Sequence, residues 1–139
     1  MPKDPYLEAE ADPRSRFRGK FSGKVVANKD PNHAGRLQIS LPEILGDKTP
    51  WARACVPYAD QGFGQFLMPP IGTRIWVEFE DGNIDQPIWS GCEWADGGAP
   101  AQDPNVMVIA TPSGTITFNA GNPKGEILIE AGNTTIALS

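Results

Sequence analysis

The single histidine of the chain, His33, lies in the turn-rich run Pro31-Asn32-His33-Ala34-Gly35. A Ser-His-Asp hydrolase needs an imidazole held beside its nucleophile, whereas this position reads as a solvated loop residue. Glu78, Glu80, Asp81 and Asp85 form the candidate carboxylate group for acid–base work. They surround one short turn, where a solvated charge run is the simpler reading. Asp81, Asn83 and Asp85 alternate as in a calcium loop, but the later bidentate Glu of that motif is missing. Cys55 and Cys92 read as small buried hydrophobes in strands, since no secretory leader accompanies the one pair they could make. Trp51, Trp76, Trp89 and Trp94 could stack bases on a barrel surface if basic residues flanked them. Trp76 instead keeps company with Arg74 and Glu78, and Trp94 with Glu93 and Asp96. Packing within the barrel or between neighbouring barrels is the expected role of these rings. The glycines punctuate strands and form no phosphate loop. These residues predict no catalytic group, no metal site and no cofactor, so the chain is not expected to be an enzyme.

Charge narrows the partners. Residues 1–48 carry nine Lys/Arg against seven Asp/Glu, and residues 49–139 carry three against ten. Acidic strands would be repelled by a phosphate backbone, so nucleic acid is not an expected partner. No apolar run is long enough to span a membrane as a helix.

The elements that carry these residues are short strands, as 15 glycines and 14 prolines in 139 residues favour. Residues 1–16 mix charge with proline and read as an arm, either mobile or ordered against a neighbouring chain. Residues 21–28 give a first strand, with Gly23 marking a bulge or bend. Residues 36–41 alternate, with Leu37 and Ile39 on one face, and residues 51–57 give a third strand. Phe63 and Phe66, in a glycine-aromatic loop, are expected to plug one barrel end. Residues 73–79 place Ile75, Val77 and Phe79 on one face; Asp81-Gly82-Asn83 turns the chain into a fifth strand. Five such strands match a small closed barrel of the OB type over residues 17–95.

Residues 96–105 are small, polar and proline-rich and read as a linker. Beyond them, GTITFNAG and GEILIEAG repeat at a spacing of eleven residues, and TTIALS begins a looser third copy. Gly114, Gly121, Gly125 and Gly132 are expected to turn the chain. Alternation puts Ile116, Phe118, Ile127, Ile129, Ile136 and Leu138 on one face. Leaving six such side chains in water forgoes about 1.5–3 kcal/mol each, which rivals the stability of a whole domain. Residues 106–139 are therefore expected to form one wall of a threefold prism, the six side chains filling its axis. A short meander packed on the same chain's barrel is the alternative.

The barrel segment resembles the central spike and hub family of contractile phage tails and related injection systems: the phage tail lysozyme hub, the baseplate assembly protein V group and the VgrG spikes. The resemblance is carried by Gly35-Arg36-Leu37 with Ile39, Pro50-Trp51-Ala52-Arg53, Pro70-Ile71-Gly72-Thr73, Asp81-Gly82, Pro87-Ile88 and Ser90-Gly91. It implies an all-β protein, an OB-fold barrel followed by a short intertwined trimeric β-helix or β-prism. It also implies self-association as a homotrimer, inner tube or hub proteins on the collar side, and a PAAR-like tip protein at the needle end. The implied location is a virion baseplate or an equivalent injection particle, assembled in the cytoplasm. The apical His-x-His iron pair of some short spikes has no counterpart here. The alternative function is an OB-fold module binding single-stranded nucleic acid or oligosaccharide.

Overall fold

The structure, a computed structural model, describes residues 17–139. The arm expected at residues 1–16 lies outside the described residues. Two compact units make up the chain, the first ending at Glu93 and the second spanning Trp94–Ser139.

The first unit is built on β1 (Phe21–Ala27), β2 (Leu37–Ser40), β3 (Trp51–Ala54), β6 (Arg74–Phe79) and β7 (Pro87–Cys92), which close into a barrel in the order β1-β2-β3-β7-β6. Its pairings are antiparallel except β3 with β7, which runs parallel with Arg53 opposite Ile88. Closure satisfies the edges that an open sheet would expose. Inward positions follow the alternation of the sequence: Leu37 and Ile39 from β2, and Ile75, Val77 and Phe79 from β6, join Val25, Leu41, Ala52 and Trp89 in the buried core. The β6–β7 turn passes through Asp81 (φ 53°) and Gly82 (φ 73°), both left-handed, in a 3₁₀ turn over Glu80–Gly82.

Several local expectations are corrected. A short helix, α1 (Pro42–Leu45), follows β2. Gly23 stays in register with Ile75; the irregularity in β1 falls between Val25 and Ala27 instead. A side chain at Gly23 would press within 3.0 Å of the Ser40 carbonyl, so close approach of strands explains that glycine. Both cysteines are exposed, because Cys55 lies beyond the end of β3 and Cys92 is the last residue of β7. Phe63 and Phe66 are exposed as well and plug nothing. Phe17 and Phe21 pack their rings against Phe79, at 6.0 and 5.8 Å between centroids, and Met68 and Ile84 also flank the core. Phe63 belongs to a tight hairpin of β4 (Ala59–Asp60) and β5 (Phe63–Gly64).

The second unit contains β8 (Val106–Thr111), β9 (Gly114–Asn119), β10 (Glu126–Ala131) and β11 (Thr134–Leu138), an antiparallel sheet in the order β11-β10-β9-β8. One chain thus forms a four-stranded meander, and no closed prism exists within it.

Candidate functional site: the apolar face of the C-terminal sheet

Short turns set the register of this sheet. Between β8 and β9 the Thr111 hydroxyl accepts from the Ser113 and Gly114 amides and lies 3.0 Å from the Gly114 carbonyl. The β9–β10 turn is pinned where the Gly121 amide donates to Asn119 Oδ1 and the Gly125 amide to the Asn122 carbonyl. Gly132 (φ 57°) occupies the first central position of the two-residue β10–β11 turn, which favours glycine. Gly114 departs from its expected role as a turn residue. It opens β9, where an added Cβ would lie 2.6 Å from the Glu130 carbonyl.

This register lines apolar side chains up across all four strands. Met107, Phe118, Ile127 and Leu138 stand opposite one another in successive strands, and Ile109, Ile116, Ile129 and Ile136 form a second row beside them. Directly opposed residues share a face of an antiparallel sheet and contact each other. A third row on that face is small: Thr111, Gly114, Ala131 and Thr134. The reverse face mixes Thr115, Thr117, Glu130 and Thr135 with Val108 and Leu128. Met107, Ile109, Phe118, Ile129, Ile136 and Leu138 are all exposed, between 41% and 65%, while Ile116 and Ile127 in the two central strands are half-buried. The six side chains singled out from the repeat fall in these two rows. Met107 and Ile109 complete them and were not singled out, because VMVIA is apolar throughout and shows no parity of its own.

Such a face can bind another apolar surface. Among the described residues no three His, Cys, Asp or Glu side chains gather as metal ligands. Four of the barrel's carboxylates are engaged in ion pairs: Glu78 with Lys20, Glu80 with Arg53, Glu93 with Arg74 at 3.4 Å and Asp30 with Arg36 at 2.8 Å. Pairing removes Lys20, Arg36, Arg53 and Arg74 from any free basic surface, which a phosphate backbone would need.

Asp30 organises the loop between β1 and β2. Its carboxylate accepts from Arg36 Nε and Nη2 and from the Asn32, Ala34 and Arg36 amides. The Arg36 guanidinium and then these amides hold the Asp30 carboxyl well below the ordinary value of 3.8, against the opposing effect of burial. The same guanidinium lies 5.4 Å from the centre of the Trp51 ring. Trp89, buried in β7, donates its indole N–H to the Gly35 carbonyl at 3.0 Å. His33 takes a left-handed conformation (φ 52°) in this loop.

A five-stranded closed barrel with a parallel β3–β7 pairing defines the OB class. Residues 21–94 match the family of the type VI secretion system/phage-baseplate injector OB domain. The chain belongs to that family. It is 27% identical over 121 residues to the type VI secretion system spike proteins VgrG2a and VgrG2b of Pseudomonas aeruginosa, a match covering 80% of this chain. A third spike protein of that organism, VgrG4b, is 38% identical over 42 residues, 30% of this chain. The matches take in 14%, 12% and 5% of those relatives, so the chain spans a small part of their length.

Proposed function

We propose that this protein is a structural spike of a contractile injection machine: a homotrimer whose barrels form a collar and whose C-terminal sheets form a short needle. The observation that carries the reading is the pair of complete apolar rows on an exposed face of β8–β11, in a chain whose relatives are spike proteins. A six-residue strand is roughly 20 Å long. Three walls of that width put the common axis roughly 6 Å from each sheet, about half the ~10 Å between packed sheets. One layer of side chains then fills the interior. Four walls would leave the axis empty.

In this reading the needle is stiff because its backbone hydrogen bonds are internal and its side chains interlock, and the sheath supplies the work that drives it through an envelope. Inner tube or hub proteins meet the collar, and a PAAR-like tip protein meets the needle end. The machine is a virion tail baseplate or an equivalent particle, assembled in the cytoplasm. Catalysis has no part in the mechanism, and the acidic balance of residues 49–139, three Lys/Arg against ten Asp/Glu, favours this reading over a nucleic-acid module. The test is the position of the chain in the assembled particle. Threefold density on the axis at the tip of the inner tube is expected; density on the sheath or off the axis would refute the proposal.

A further inference from the structure

We infer that neighbouring copies of the C-terminal sheet join side to opposite side, Lys124 of one copy pairing with Glu130 of the next while a row of large side chains seats against a row of small ones. The inference deepens the threefold reading above and rests on it.

The charges are unmatched within one chain. Lys124 is the one Lys or Arg between Trp94 and Ser139, and it stands exposed in the β9–β10 turn. The turn holds it in place: the Lys124 amide donates to Asn122 Oδ1 at 3.1 Å, and the Gly125 amide to the Asn122 carbonyl at 2.8 Å. Glu130 is exposed near the far end of β10, between Thr115 of β9 and Thr135 of β11. Among the described residues neither charge has an ionic partner. Six residues, most of them extended, hold the two roughly 15–20 Å apart in one chain, too far to pair. A contact around a threefold axis joins two different patches, so the turn side of each sheet meets the opposite side of its neighbour. That operation carries Lys124 of one copy to the Glu130 side of the next.

The apolar face fits the same operation. The row that holds Phe118 and Leu138 lies nearest the β9–β10 turn, and the isoleucine row runs down the middle. Thr111, Gly114, Ala131 and Thr134 form the small row on the far side, beside Glu130. The walls of a triangular prism converge on their corners, so side chains there have the least room. Two large rows meeting at a corner would overpack it, and two small rows would leave a void. A large row against a small one fills the corner and leaves the isoleucines to the axis. An exposed ion pair adds little affinity but penalises wrong pairings. The rows therefore hold the copies together, and the charges select which sides meet.

The experiment treats the full chain at low salt with a water-soluble carbodiimide, which forms an amide only between an amine and a carboxylate already in contact. After denaturing electrophoresis, bands of two and three times the 15.0 kDa chain mass should contain peptides joined through Lys124 and Glu130, and the one-chain band should lack them. Lys124→Glu should lower the yield of linked bands more than tenfold, and Lys124→Glu/Glu130→Lys, which reverses both charges, should restore it. The native mass of the untreated chain is read in parallel. A trimer without the Lys124–Glu130 link, or a doubly reversed variant that links no better than Lys124→Glu, would overturn the inference. A monomer or a dimer would instead remove the threefold reading itself.

Discussion

Replacing Ile129 by Asp separates a covered sheet face from a wetted one. Ile129 lies in β10 between Ile116 of β9 and Ile136 of β11, and 41% of it is exposed in the single chain. If that exposure persists in the working protein, a carboxylate there stays hydrated, and the change costs within about 0.5 kcal/mol, as surface substitutions do. If three copies close over the face, each chain forfeits the burial still to come, roughly 0.6–1.2 kcal/mol for the exposed two-fifths of an isoleucine. Each must also bury a carboxylate, at several kcal/mol per ion. Three copies lose on the order of 10 kcal/mol or more, and every 1.4 kcal/mol is tenfold in association. Size-exclusion chromatography with light scattering at micromolar concentration should therefore show Ile129→Asp as a monomer with its strand signal in circular dichroism retained. Thr135→Asp, on the reverse face, should associate like the parent. An Ile129→Asp protein that assembles with unchanged mass and midpoint would refute the reasoning.

Other expectations concern the barrel. Asp30→Asn should cost about 3 kcal/mol at neutral pH, because it leaves the Arg36 guanidinium short of its partner, and a denaturant melt reads this. The Asp30 carboxyl is depressed in the folded state, so its contribution is complete above 3.8 and is lost as pH falls below that value. The parent's melting temperature should thus drop more steeply than the variant's below about pH 4, and parallel curves would contradict this origin. Trp89→Phe should lower barrel stability by about 1–3 kcal/mol by orphaning the Gly35 carbonyl; a neutral result would mean that water replaces the indole. Single-stranded oligonucleotides should not be retarded on a gel even at low salt, and a salt-sensitive shift would revive the nucleic-acid reading.

The barrel was legible because RIWVEF alternates cleanly and its inward residues Ile75, Val77 and Phe79 are the buried ones. Turn chemistry at Asp81-Gly82 was legible for the same local reason. What escaped the sequence depends on distant partners. An exposed Phe66 and a core-flanking Phe21 are equally hydrophobic, and only the path of the chain tells them apart. The five donors that converge on Asp30 come from a loop in which His33 is left-handed, a conformation that no spacing rule announces. Cys55 is exposed because β3 ends at Ala54, before the alternation over residues 51–57 runs out, and strand ends are where alternation has the fewest residues to speak through. In the C-terminal sheet the glycine-bounded repeat revealed the apolar positions of three strands, β9 to β11. β8 has no such punctuation, so the contribution of Met107 and Ile109 emerged only from the β8–β9 register.

The central claim is that the oily side of β8–β11 meets its own copies around a threefold axis. Native mass spectrometry of the unaltered chain, of 15.0 kDa, tests it most directly. The account predicts one species of about 45 kDa, three times the chain mass, that persists on dilution to low micromolar concentration. A 15.0 kDa species would show that the face stays wet, and a stable dimer would show that two sheets stack face to face instead.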